Sequence, residues 1–178
     1  VKGLEAEISA YAGAAHAVAM SSGTDAQLAA LMGLGIGHGD EVIVPSFTFF
    51  ATAGVVSRLG AKPVFIDLEP ATFNATGVLV EAAITPRTKA IMPVHLFGQL
   101  ADMPGIMAVA KKHGLPVVED ACQSLGAKGW GKSAGQFGDM TAYSFYPTKN
   151  LGAFGDAGMT AIRDDAALAA RVRRIRVH

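Results

Sequence analysis

Glu41-Val42-Ile43-Val44 reads as a strand with apolar side chains on both faces, the pattern of a strand covered by helices above and below. Similar runs recur at Ala17–Met20, Pro63–Asp67, Ala90–Val94 and Pro116–Glu119. Between them lie stretches with helical spacing at Asp25–Leu34, Phe50–Leu59, Leu79–Ile84 and Met103–His113, and helix formers dominate Gly3–Tyr11 and Asp165–Ile175. This alternation predicts an α/β domain of three layers built on a mostly parallel sheet. In such a domain reactive groups gather at the carboxyl ends of the strands. The glycine-rich segment Gly126–Phe137 reads as an excursion loop.

A chain of 178 residues, 51% hydrophobic and 17% charged, can bury one sizeable core, so residues 1–178 are read as a single domain. Fifteen Lys plus Arg balance fifteen Asp plus Glu, which leaves no electrostatic footprint for nucleic acid or an anionic membrane. The run Arg171-Val172-Arg173-Arg174-Ile175-Arg176 is read as a solvated helix face whose cations complement the helix dipole. A lone cysteine, Cys122, excludes an internal disulfide and points to the reducing cytoplasm. No signal peptide opens the chain, and no apolar stretch reaches the roughly 18 residues of a spanning helix. The start at Val1 and the stop at His178, directly after a helix, read as a piece of something longer. On that expectation a second domain or a partner subunit supplies further groups.

Four features fall at strand ends. Ser21-Ser22-Gly23-Thr24-Asp25-Ala26 is a glycine turn opening a helix, which offers free backbone N–H groups and the positive dipole end to a phosphate. It also suits an ordinary helix cap at Ser22 or Thr24. In Val117-Val118-Glu119-Asp120-Ala121-Cys122-Gln123, Asp120 closes an apolar strand, where a carboxylate is costly without a cation or strong donor. A protonated pyridine nitrogen is such a partner. Gln123, three residues on, would share its side on a helical turn and reach the ring's phenolic oxygen; the competing reading makes Asp120 a helix cap. Pro45-Ser46-Phe47-Thr48-Phe49-Phe50 offers aromatics that stack on a flat heterocycle or simply fill the core. Last comes Lys149, alone in the apolar, turn-rich run Tyr143–Gly152, with Ser144 upstream to add a hydroxyl to a phosphate cup. A lysine buried there loses hydration, and its neutral amine becomes available to condense with an aldehyde.

These four demands are those of pyridoxal 5'-phosphate. Ser21–Ala26, Glu119–Gln123 and Ser144–Gly152 together resemble the signatures of the DegT/DnrJ/EryC1/StrS family of nucleotide-sugar aminotransferases, and Gly37–Pro45 and Pro93–Gln99 are similar to that family too. The resemblance implies a large cofactor-binding domain of fold type I, the aspartate-aminotransferase-like fold, without the small C-terminal domain. It implies that Lys149 binds the cofactor aldehyde and shuttles the proton, Asp120 pairs with the pyridine nitrogen and Gln123 approaches the ring hydroxyl. By the same resemblance Phe49 stacks on the ring, while Thr24, Asp25 and Ser144 hold the phosphate. The implied partners are an amino-acid donor, usually L-glutamate, and a nucleotide-linked keto sugar, in a homodimer. Family members with histidine at the lysine position are dehydratases, so Lys149 favours amino transfer.

Two competitors are weaker. The glycines of Gly33–Gly39 follow a helix and precede a strand, the reverse of a dinucleotide fingerprint. A non-catalytic binding domain would be favoured by a missing lysine. His16, His38, His95, His113 and His178 show no metal-ligand spacing, so no metal is expected. His95 reads as a satisfied core histidine and Cys122 as a small buried filler.

Overall fold

The computed structural model describes residues 1–177; His178 lies outside the described residues. Strand and helix alternate as the sequence predicts through α1 (Lys2–Ala12), β1 (His16–Met20), α2 (Gly23–Gly33), β2 (Glu41–Pro45), α3 (Ala51–Arg58), β3 (Lys62–Ile66), α4 (Gly77–Ala83), β4 (Thr88–Ile91), α5 (Met103–His113) and β5 (Val118–Asp120). After β5 come a short hairpin of β6 (Lys128–Gly129) and β7 (Lys132–Ser133), then β8 (Met140–Ser144), β9 (Gly158–Ile162) and α6 (Ala166–Val177). Four of these strands correct the sequence reading. The excursion loop contains the hairpin, and β8 and β9 were not expected. Their sequences, Met-Thr-Ala-Tyr-Ser and Gly-Met-Thr-Ala-Ile, lack the β-branched aliphatic runs that mark the other strands.

Apart from the β6–β7 hairpin, the strands form one continuous surface in the order β1-β9-β8-β5-β4-β2-β3. The β4–β5 seam runs past Pro93 and Pro116, which accept but cannot donate. It is closed by Ile91 N–H to Pro116 O at 3.1 Å, Asp120 N–H to Pro93 O at 2.9 Å and His95 N–H to Asp120 O at 3.0 Å. Within this surface, among the described residues, only β9 runs antiparallel, against both β1 and β8. Consecutive strand residues go to opposite layers. Ile43, Val117, Tyr143 and Met159 join α1, α4 and α5, whereas Val42, Val118, Ala142 and Ile162 join α2, α3 and α6. The small residues of β8 and β9 let α2 lie close, and Thr160 Oγ1 donates to Ala26 O at 2.9 Å.

Two carboxylates brace this frame. Glu119, fully buried on the α5 side, accepts from His95 Nε2 at 2.8 Å and from the N–H groups of Gly135, Phe137 and Gly138. Burial pushes its carboxyl up, but the His95 contact and the backbone donors outweigh it and leave the group below its ordinary range. Because His95 Nδ1 accepts from Ala101 N–H at 3.2 Å, Nε2 carries the proton that reaches Glu119, and the core histidine is satisfied. Glu5 of α1 ties down α6 by accepting from Arg173 and Arg176, while Arg171 reaches Gly33 O at 2.8 Å. The basic run is therefore a set of structural ties and not simply a solvated face. Among the described residues no helix is long and apolar enough to cross a membrane.

Glu119→Leu would strand three buried N–H groups, each worth about 1–3 kcal/mol. A loss of several kcal/mol is the expected outcome, read as a fall in the urea midpoint of unfolding. Glu41, beneath Thr85, Arg87 and Lys62, is drawn down to about 2 by those hydrogen bonds. A carboxyl depressed in the folded state stabilises above its unfolded value and loses that contribution as pH falls. Unfolding measurements should show this loss between pH 4.5 and about 2 in the native protein and its absence in Glu41→Gln.

Candidate functional site

A cavity of about 470 Å³ opens at the carboxyl ends of β1, β5 and β8 and is lined by Ser22, Gly23, Thr24, Gln27, Phe49, Cys122, Ser144, Tyr146, Thr148, Lys149 and Asp156. A larger cavity of about 730 Å³ at the opposite ends of the strands, around Asp40, Thr85 and His113, holds none of the predicted residues. Four sequence-predicted residues, Thr24, Phe49, Ser144 and Lys149, thus meet on one wall system, although they come from distant segments.

The turn after β1 caps α2 through Ser22, whose Oγ accepts from Asp25 N–H at 3.0 Å. Asp25 turns its carboxylate back onto the hydroxyls of Ser21 and Ser22. With Asp25 N–H engaged, the open first-turn donors of α2 among the described residues are Gly23 and Thr24 N–H. Asp25 therefore builds the turn with both its N–H and its carboxylate. Gly23 lies so near β8 that an added Cβ would fall 2.7 Å from Ser144 Cβ and 2.9 Å from Cys122 Sγ. The close approach needs glycine and brings the helix start and the Ser144 hydroxyl to one corner.

Asp120 is 4% exposed and has no cation on it among the described residues. Its Oδ2 accepts from Gln27 Nε2 and Thr52 Oγ1, each at 2.8 Å, and its Oδ1 from Cys122 N–H at 3.1 Å. A turn follows in place of the helix that the capping alternative requires. For the same reason Gln123 does not share the side of Asp120. Its Oε1 accepts from Phe97 N–H at 3.0 Å; neither it nor Asp120 is among the residues lining the cavity, but Asp120 lies directly behind two that are, Gln27 and Cys122.

Lys149 is half-buried rather than buried, because the turn that carries it lies on the rim. Cys122 is half-buried too and lines the cavity, which corrects its reading as a filler. Burial first, then the Asp120 charge, push its thiol well above the ordinary value, so it is no nucleophile at neutral pH. Phe49 is 67% exposed and stands free over the opening. Among the described residues no cluster of His, Cys, Asp or Glu could hold a metal.

Gln27, Thr52 and Asp156 went unmarked in the sequence. The one signal for Gln27 and Thr52 is a polar residue in a helix buried on nearly every side, and both are buried here.

The model of the DegT/DnrJ/EryC1/StrS aminotransferase family matches residues 1–178. The chain belongs to this family. Among DegT/DnrJ/EryC1/StrS relatives it is 57% identical, over all its length and 48% of theirs, to a "pleiotropic regulatory protein" of Geobacillus stearothermophilus. It is 55% identical to a UDP-N-acetyl-3-dehydro-alpha-D-glucosamine 3-aminotransferase of Acidithiobacillus ferrooxidans, over 99% of this chain and 48% of that protein. DesV of S. venezuelae, solved in complex with a ketimine intermediate, superposes with a TM-score of 0.94 at 49% identity, covering 98% of this chain and 47% of that one. The chain spans about half the length of the curated relatives it matches.

The tight corner gives a prediction. Gly23→Ala should cost about 1–3 kcal/mol, read as a lower melting temperature, because the methyl can be seated only by moving β8 or α2.

Proposed function

We propose that residues 1–178 form the cofactor-binding domain of a longer pyridoxal-phosphate enzyme that moves an amino group, from L-glutamate, onto a keto group of a nucleotide-linked sugar. The observation that carries this is Asp120, a buried carboxylate with no cation on it among the described residues, held by Gln27 and Cys122 against the cavity that contains an open helix start and Lys149. A protonated pyridine ring answers the first and a phosphate the second, so the residues fit the cofactor. The relatives named as sugar aminotransferases support the substrate class.

In this reading Gly23 and Thr24 N–H and the Ser144 hydroxyl hold the phosphate, and Phe49 closes over one face of the ring. Asp120 holds a proton on the ring nitrogen through a charge-assisted hydrogen bond. Pyridoxal phosphate, when bound, supplies an aldehyde that takes up the amino group and a ring that withdraws electrons from the adjoining C–H bond. Lys149 Nζ provides the anchoring amine and, once displaced, takes the proton from one carbon and returns it to another. Its place on the rim lets it swing between these duties. The amine at this position favours amino transfer over the dehydratase reading. The whole enzyme is read as a cytoplasmic homodimer.

In the full-length protein, Lys149→Ala should abolish both the visible absorption of bound cofactor and amino transfer. Borohydride reduction followed by peptide mass spectrometry should find the adduct on residue 149 of the native enzyme, and an adduct on another residue would overturn the assignment. Asp120→Ala should retain the adduct while slowing transfer by roughly 10²–10³-fold; equal rates would reject the role of Asp120. Titration of the amino-loaded enzyme with a panel of nucleotide keto-sugars identifies the acceptor.

A further inference from the structure

An ionised carboxylate offers about four lone-pair positions, two on each oxygen. On Asp120, Oδ2 already receives Gln27 Nε2 and Thr52 Oγ1, and Oδ1 receives only Cys122 N–H. Counting leaves one open acceptor position, and it is on Oδ1. The two donors on Oδ2 come from α2 and α3, 93 and 68 residues away in the chain. Both are locked in place, since Gln27 is 2% exposed and Thr52 is fully buried.

Gln27 carries a mark of what its orientation is for. Its Oε1 is buried with no hydrogen-bond partner among the described residues. Turning the amide over would set Oε1 against Asp120 Oδ2, two acceptors face to face. An unsatisfied oxygen is thus tolerated so that a donor reaches the carboxylate. Thr52 is committed in the same way, because with its hydroxyl proton on Asp120 it can only accept from Thr48 Oγ1, 3.4 Å away.

We propose that Gln27 and Thr52 are positioning residues that saturate Oδ2 of Asp120 and fix its carboxylate plane, so that Oδ1 alone meets the ring nitrogen of the cofactor. This rests on the cofactor reading given above. Without the two donors the carboxylate can rotate and share its lone pairs, and the ring nitrogen keeps its proton less well. A less positive ring withdraws less charge from the lysine-bound carbon, so the visible band of the bound cofactor titrates at higher pH.

The test uses the full-length holoprotein with Gln27→Leu, Thr52→Val and Thr52→Ser. Absorbance titration gives the dissociation constant for pyridoxal phosphate, and a pH series gives the midpoint of the visible band. Gln27→Leu and Thr52→Val should each bind the cofactor about tenfold more weakly, because the carboxylate that meets the ring nitrogen is no longer held ready in one plane before binding. Each should also raise the midpoint by about one unit, and Thr52→Ser, which keeps the hydroxyl, should restore both. Unchanged constants and midpoints in Gln27→Leu and Thr52→Val would overturn the inference while leaving Lys149 and the cofactor in place. A native protein with no visible band would instead sink the cofactor reading, and this inference with it. Should Gln27→Leu fail to fold, the comparison of Thr52→Val with Thr52→Ser decides alone, because a purely structural role would move the melting temperature without moving the midpoint.

Discussion

Strand β5 ends in two adjacent carboxylates, and the molecule is organised around supplying both with donors. Neighbouring residues of a strand face opposite sides, so Glu119 and Asp120 require two separate sets of partners. Glu119 collects a histidine and three backbone N–H groups, which pins the glycine-rich segment between β5 and β8 to the sheet. Asp120 draws side chains from α2 and α3 and fastens them to the middle of the sheet. A buried carboxylate without donors is among the costliest defects a core can hold. The two sets are therefore constraints on the whole architecture: the first fixes the α5 layer, and the second aligns the helices that wall the cavity.

That arrangement explains why rigid and mobile requirements separate cleanly. The carboxylate and its donors sit in the packed interior, while Lys149 stands on a turn at the rim and Phe49 is largely exposed. Groups that must keep a fixed geometry are held by regular elements, and groups that must move are carried by loops. The glycine at the start of α2 joins the two regimes. It lets a helix end approach a strand end closely enough for Ser144 to stand beside the open N–H groups.

Much of this was legible in the sequence where side-chain chemistry and local pattern agree. Met103–His113 has helical spacing and a basic last turn, and it forms α5 with those bounds. The apolar runs around Ile43 and Val118 became central strands. Thr24, Phe49, Ser144 and Lys149 stood out as polar, aromatic or reactive groups at strand ends, and they line one cavity. Illegible were the features set by distant contacts. Strands β8 and β9 interleave large side chains with the small Ala142, Ser144, Gly158 and Thr160, over which α2 lies close, a fact about packing that no local pattern carries. Gln123 was placed by assuming a helical turn after Asp120, and the turn that forms instead sends its amide to Phe97. The arginines near the C-terminus look solvated until the fold sets Glu5 beneath them. Gln27 and Thr52 matter only through a carboxylate many residues away.

The reversed strand β9 has a consequence for the order of assembly. Among the described residues strand β1 lies at the sheet edge and pairs with β9 alone, with His16 opposite Ile162 and Met20 opposite Gly158. On the ribosome residues 16–20 emerge before residues 158–162 and must wait for them to find a partner. Contacts between such remote segments close slowly, so until β9 has been made a nascent chain carries an unpaired apolar edge, open to wrong strand pairing. The helix start built directly on β1 becomes firm only when β9 slides in, so the close corner between Gly23 and Ser144 forms late in the folding of these residues.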